Sequence, residues 1–452
     1  MSSRSLQQAL QETDNVVKRF RKESGIVAFP NLASEYTNWI NEQRAWRETC
    51  CLADLTHHQM DQVIEGPDAI ELFSKLCVNS FEDFEVGDAK QAVMCNPDGK
   101  LIGDGILQYI DNEKFVLSGS PSPANWLAYH AETGDYDVDQ KIYPMSVMTD
   151  DDPHYYTYQV QGPNALDVME DVTDEPLPDI PFFKWDTLSI NGHEVRALRH
   201  GMAGEVGFEM QGPFEHGEEI KNALMDAGEN HGIRHLGTRA YKSTPVIVGW
   251  VDVYAKALYE HPELEDYREW LPVDGFEGTL SIFGSFNSDD ITDYYLSPVE
   301  AGLKNVINFD HDFIGREALE EEVANPDRTL VTLVWNSLDA SDIYDSLFQE
   351  GETLKFADLP RARMRAHYDR VLNKDGDLIG LSRHPAYTYN ERQMLSLCTV
   401  DVEYAEPGTE VALVWGEEGD QSSPAIEPHR QTKIRATVQP APYVTDRRKS
   451  DW

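Results

Sequence analysis

The residue types able to do chemistry fall into no generic catalytic spacing in this sequence. His57 and His58 are adjacent, and neighbours on a strand point to opposite faces, so the pair is not expected to share a metal. Five cysteines, Cys50, Cys51, Cys77, Cys95 and Cys398, form no C-x-x-C pair and no Cys/His cluster at zinc spacing. Each lies in or beside an apolar run, so buried free thiols in a reducing compartment are expected, with no disulfide framework and no metal. Gly201, Gly204 and Gly207 precede a strand pattern and lack the spacing of a phosphate loop. Walker A, H-E-x-x-H, G-x-S-x-G and Rossmann fingerprints are absent from the sequence. Residue chemistry alone stops at an acidic cytoplasmic α+β enzyme or binding protein.

The charge balance narrows the partners. The 452 residues carry 80 Asp+Glu against 38 Lys+Arg, a net charge of −42. Nothing would offset phosphate repulsion, which excludes a general nucleic-acid binder and argues against anionic membranes. Acidic runs such as Asp150-Asp151-Asp152 and Glu320-Glu321-Glu322 are spread along the chain, and only 16 of the basic residues are lysine. Such self-repulsion opposes a compact fold in dilute buffer and fades at molar salt, where the Debye length is ~3 Å. The composition therefore reads as salt adaptation, as in a halophile. No stretch approaches the ~20 apolar residues of a membrane span. Met1 to Asn15 is polar without a signal-peptide h-region, so a cytoplasmic location is expected.

The elements that must position any site repeat a pattern. Met60 to Glu65, Tyr156 to Gln161 and Gly207 to Gln211 each read as a strand, broken by Gly66-Pro67, Gly162-Pro163 and Gly212-Pro213. An amphipathic helix pattern follows each break, as Pro near a first helical turn allows. Three such units imply an α+β body of pseudo-repeats. Asn96-Pro97-Asp98-Gly99 and Lys374-Asp375-Gly376 are hairpin signals. From about Arg328 the texture turns β-rich, which suggests a separate C-terminal β-barrel or jelly roll. The expected division is residues 1–325 for the body and 326–446 for the barrel domain, with a frayed charged tail after Val444.

Several stretches then match one family in order and spacing. They are Cys51-Leu52-Ala53-Asp54-Leu55 through Gly66-Pro67-Asp68-Ala69, Asn96 through Asp104, Arg199-His200-Gly201-Met202-Ala203-Gly204-Glu205-Val206-Gly207-Phe208-Glu209, and Gly237-Thr238-Arg239. Ser297-Pro298-Val299-Glu300-Ala301-Gly302-Leu303 and Phe313-Ile314-Gly315-Arg316 match its closing motif. Over nearly its whole length the chain resembles the folate-binding aminomethyltransferases, the glycine cleavage T-protein family. Asn125-Trp126-Leu127, Ala240-Tyr241-Lys242-Ser243 ahead of Gly249-Trp250, and Tyr267-Arg268-Glu269-Trp270 are similar to the tetrahydrofolate-dependent aryl O-demethylases.

The resemblance implies a T-protein-like body of interleaved subdomains, tetrahydrofolate as cofactor and a small-molecule methyl donor as partner. It places Glu209 on the pterin ring, where a carboxylate accepts two hydrogen bonds from an N–H/NH2 edge. It places Arg239 at the folate or substrate pocket, Asp104 near the reacting nitrogen, and Gln91 where the family has a folate-contacting tyrosine. Departures argue against glycine cleavage: Gly103 replaces a family aspartate, Met202 a tyrosine, and Ala240 the aspartate after Arg239.

An ether methyl is a poor electrophile unless a proton reaches the leaving oxygen, help worth ~10²–10⁴-fold. Tyr241 is the natural donor, with a phenol pKa of ~10 close to that of the phenol released. The resemblance puts His58 beside the substrate. Ser120 stands near the position where the resemblance gives benzoate-directed relatives an arginine, so either another arginine substitutes or the substrate is not an aromatic carboxylate, and benzoates are expected to be poorer substrates. The alternatives are an aminomethyltransferase, a regulator without turnover, and a sulfonium or amine demethylase of the dimethylsulfoniopropionate type. The last needs no acid but needs an aromatic cage, which Trp126 and Trp250 could supply.

Overall fold

The strand–Gly-Pro–helix units seed two sheets in the computed structural model, which describes residues 4–24, 31–360, 366–418 and 423–450. The body strands in chain order are β1 (Cys50–Asp54), β2 (Met60–Glu65), β3 (Ala89–Cys95), β4 (Leu101–Asp111), β5 (Lys114–Gly119) and β6 (Asp139–Tyr143). They continue with β7 (Tyr155–Gln161), β8 (Trp185–Ile190), β9 (His193–Arg199), β10 (Gly207–Pro213) and β11 (Ile233–Leu236). One sheet has the order β11-β1-β7-β10-β9-β8 and the other β3-β4-β5-β2-β6. The first pseudo-repeat, β2 with the helix Ala69–Leu76, belongs to the five-stranded sheet. The other two, β7 with Ala165–Val172 and β10 with Gly217–Ala227, lie side by side in the six-stranded sheet.

A glycine breaks the strand for a steric reason. Gly162 has φ +132°, and a β-carbon there would lie 2.6 Å from the Thr49 carbonyl oxygen. Only glycine tolerates both conditions. Each helix then buries one apolar stripe, as Leu72, Phe73 and Leu76 do in the first unit and Val168, Met169 and Val172 in the second.

The β-rich C-terminal region closes into an antiparallel barrel, not a jelly roll. Its strands are Arg328–Trp335, Gln393–Asp401, Leu378–Thr388, Asp369–Leu372, Glu410–Trp415 and Thr432–Pro440, and the last pairs back onto the first. Closure removes the exposed edges that a sheet of this composition would otherwise present. Trp335 and Trp415 meet inside, ring centroids 5.2 Å apart. Ile247 from the body packs in one cluster with Leu395 and Leu397 from the barrel.

Two expectations are corrected. The tail after Val444 is not frayed over its described part, residues 445–450: Arg447 donates its backbone N–H to the Gly204 carbonyl (2.8 Å) and Arg448 its guanidinium to the Gly201 carbonyl (3.2 Å), while residues 451–452 lie outside the described residues. Its charges find carbonyls and Glu205 on the body, which a count of charged residues does not reveal. His57 and His58 lie in the turn after β1, so strand alternation does not govern them. All five cysteines are free and buried. Among the described residues no helix is long and apolar enough to cross a membrane.

Candidate active site

A cavity of about 840 Å³ lies where the two sheets, the segment 241–259 and the folded-back tail meet. Its floor is set by strand register. Glu209 on β10 stands directly opposite Gln159 on β7, and the Gln159 amide donates to Glu209 Oε2 at 3.2 Å. The other oxygen, Oε1, is buried with no hydrogen-bond partner. Burial, reinforced by nearby Asp61, pushes the Glu209 carboxyl up to about 7. Asp61, itself raised to about 6 by burial, accepts from Ser118 Oγ at 2.6 Å. A buried acceptor without a donor is costly, and an incoming N–H/NH2 edge is the complement it lacks. On that observation the residues present fit a pterin.

Asp104 is held from two sides. It lies on β4 across from Val93 of β3, so Gln91 is its diagonal neighbour and reaches Oδ2 at 2.8 Å. Trp250 donates its indole N–H to the same oxygen at 3.2 Å. Burial raises the Asp104 carboxyl, and these two donors work against that rise. Gly103 explains how the next wall comes so close: a β-carbon there would sit 3.0 Å from Pro123 Cδ. The helix Pro121–Thr133 can therefore rest its first turn on β4, which brings Ser120 and Pro121 into the cavity lining.

Tyr241 ends the short helix Thr238–Tyr241, and His58 reaches it from the turn after β1. His58 Nε2 lies 3.4 Å from the Tyr241 hydroxyl, with the rings edge-on at 5.3 Å. Burial takes the imidazole down to about 3, so it is neutral at physiological pH. Burial and the charges of Glu209 and Asp252 raise the Tyr241 phenol, which stays protonated. A protonated phenol beside a neutral imidazole can donate a proton and be oriented while doing so.

The structure thus brings Tyr241, His58, Asp104, Gln91, Glu209, Ser120 and Trp250 to one cavity. Two expected residues are elsewhere. Arg239 points away from it: its guanidinium donates to Glu35 Oε1 at 2.6 Å and to the Leu359 carbonyl, tying the 31–38 segment to the barrel side. Trp126 is 1% exposed and packs edge-on against Tyr267 (4.8 Å) and His130 (4.3 Å), on the core side of its helix. Residues missed from the sequence include Gln159, Lys256, Glu277, and Arg448 and Lys449 of the tail, which line the cavity or support it. Gln159 had a signal, a polar residue inside an apolar strand. The tail residues had none, because their position depends on a long-range docking.

Residues 15–251 match the family model described as GCVT N-terminal domain. The chain is 38% identical over 448 residues to a syringate O-demethylase of Sphingobium sp., covering 98% of this chain and 96% of the relative. It is 30% identical to a sesamin methylene transferase of Sinomonas sp., covering 90% and 89%. An aminomethyltransferase of Oceanobacillus iheyensis is 26% identical over 84% of this chain and 87% of its own. In three dimensions it is similar to the glycine cleavage aminomethyltransferase T of Bartonella henselae, with TM-score 0.64, 17% identity, and 95% and 97% of the two chains covered.

Proposed function

We propose that this chain, which belongs to the GCVT family of folate-dependent one-carbon transferases, moves the methyl group of a methyl ether to N5 of tetrahydrofolate. The observation that carries the reading is the pairing of the Tyr241 hydroxyl with neutral His58 in the same cavity as the unpartnered oxygen of Glu209. The names of two relatives, a syringate O-demethylase and a sesamin methylene transferase, support the ether over an aminomethyl donor.

Tetrahydrofolate held by Glu209 would supply the nucleophilic nitrogen that accepts the methyl group. Glu209 receives the pterin edge through Oε1 while Gln159 fixes Oε2. Asp104, braced by Gln91 and Trp250, provides an oriented carboxylate in the same space. Tyr241 gives its proton to the ether oxygen as the methyl bond breaks, so the leaving group departs as a neutral phenol, and the proton shed by the methylated nitrogen would restore the Tyr241 hydroxyl, which balances the exchange. Its raised pKa does not defeat that transfer, because a phenolate released into the same dry cavity is disfavoured for the same reason. His58 holds the hydroxyl in position and stays uncharged. Of the two tryptophans expected to cage a sulfonium donor, Trp126 is buried away from the cavity, while Trp250 lines it with its indole N–H on Asp104.

The test is a donor panel. With tetrahydrofolate present, purified protein is expected to demethylate methoxyarenes and to leave dimethylsulfoniopropionate and glycine betaine untouched. Turnover confined to the sulfonium or the amine removes the ether reading.

A further inference from the structure

One barrel residue reaches the cavity against the preference of its own backbone. His384 has φ +52° and precedes Pro385, a neighbour that favours extended backbone with negative φ. It lies where the barrel strand Leu378–Thr388 slips register. Arg383 pairs with Leu397 and Ala386 with Leu395, so the strand carries one residue more than its partner. Such a bulge re-aims a side chain. Here it turns a 1% exposed imidazole into the cavity lining.

The ring meets a segment with no regular structure of its own. Trp250 to Lys256 forms neither helix nor strand, yet Trp250, Asp252, Tyr254 and Lys256 all line the cavity. His384 Nε2 lies 3.1 Å from the Asp252 carbonyl oxygen, which can only accept, so Nε2 carries the proton. The Tyr254 ring lies 5.5 Å from the imidazole. A second bond comes from the same side. The Ala255 N–H donates to the Tyr368 hydroxyl at 3.1 Å, and the Arg383 guanidinium covers the Tyr368 ring. The segment so held carries the Trp250 indole on Asp104 and the Asp252 charge that acts on Tyr241. Strain of this kind persists only where surrounding structure imposes it, and it clusters at working sites.

We propose that His384 is a positioning residue: its hydrogen bond to the Asp252 carbonyl fixes the Trp250–Lys256 segment, and with it Asp252 and the indole on Asp104, in the cavity beside Tyr241. The proposal rests on the methyl-ether reading only for the reaction that is timed.

Two variants of the full chain separate the bond from the backbone. His384→Asn suits a left-handed residue, but its amide is too short to stand where Nε2 stands. His384→Gln reaches that place and suits the backbone less well. Amide hydrogen exchange over residues 250–256, followed by mass spectrometry, should quicken in the Asn variant and return towards wild type in the Gln variant. With methoxyarene and tetrahydrofolate, kcat should fall ~10-fold or more in the Asn variant with KM little changed, and the Gln variant should recover much of the loss. Wild-type exchange over 250–256 as fast as in an unprotected chain overturns the proposal without any variant. So does an Asn variant that loosens the segment and keeps its kcat. Equal losses in both variants, or a loss in Gln alone, assign His384 to packing or to the turn and overturn it likewise. If the donor panel returns a donor other than an ether, kcat is read on that donor, so the ether reading fails while the tether is judged on its own result.

Discussion

Two parts of one cavity wall are built on opposite deficits. Among the described residues, a buried carboxylate oxygen of Glu209 on the β7/β10 side has no donor, and the buried Lys256 on the segment after Trp250 makes no ion pair within 4 Å, although Asp252, Asp104 and Glu277 act on its charge. The first is shaped by strand register, since Gln159 can reach only one of the two oxygens. The second is shaped by a loop and a helix start brought close by the missing side chain at Gly103. A single ligand edge of donors satisfies one and not the other. The contrast is that one wall of the cavity lacks a donor and the other an acceptor, with Tyr241 and His58 lining the same space.

Separating the chemistry from both binding ends gives the largest effect. Tyr241→Phe keeps the ring and removes the proton, so kcat on a methyl ether should fall by ~10²-fold or more while KM changes little. Binding at either end should survive, read as unchanged folate-induced stabilisation. A near-normal kcat takes Tyr241 out of the mechanism, and a lower melting temperature with normal turnover makes it a packing residue.

Breaking the donor-seeking end comes next. At tetrahydrofolate 100-fold above Kd the wild type should gain ~2.7 kcal/mol of stability, seen as a rise in melting temperature. Glu209→Ala should lose most of that gain while still binding methoxyarenes. A variant that gains as much as the wild type shows that the pterin sits elsewhere.

The same residue sharpens the comparison through pH, with a smaller effect. Burial raises the folded-state pKa of Glu209 from its ordinary range to about 7, so the folded protein holds a proton that the unfolded chain has already released. That contribution is complete below the unfolded pKa and is lost as pH rises through about 7, amounting to roughly 2 kcal/mol between pH 5 and 7. Asp61, raised to about 6, acts in the same sense, and His58, lowered to about 3, acts oppositely below its unfolded pKa. The difference between wild type and Glu209→Gln isolates the one group. Denaturant unfolding of folate-free protein should show the variant's stability declining less over this interval. Parallel pH profiles would mean that Glu209 is not desolvated.

What could be read from the residues follows these physical lines. The Gly66-Pro67 and Gly162-Pro163 breaks and the Asn96-Pro97-Asp98-Gly99 hairpin are local signals, and each is where the pattern places it, whereas Gly212-Pro213 does not break its strand and lies within β10. Glu209, Asp104 and Tyr241 were legible because motifs carry them, and they reach the cavity on regular elements or next to one. Arg239 has the right motif but meets Glu35, a partner 204 residues away that no motif names. Trp126 sits on a helix that buries both its tryptophan and Leu127 in the core, so its neighbour Asn125 is the residue turned to Glu277. Lys256 was invisible as chemistry, although a lone lysine in Tyr254-Ala255-Lys256-Ala257-Leu258 is an anomaly that burial would have flagged. Tail docking is tertiary throughout, since it depends on carbonyls at Gly201 and Gly204 being left available.

The central claim is that an ether methyl leaves oxygen and arrives on folate nitrogen, intact. A methoxyarene labelled with deuterium at the methyl group, incubated with the protein and tetrahydrofolate, tests this directly by mass spectrometry. The expected result is free phenol and 5-methyltetrahydrofolate in equal amounts, with all three deuteriums retained on the folate. Release of phenol with the label in formaldehyde or methanol, or methylation of folate without release of phenol, would contradict the account.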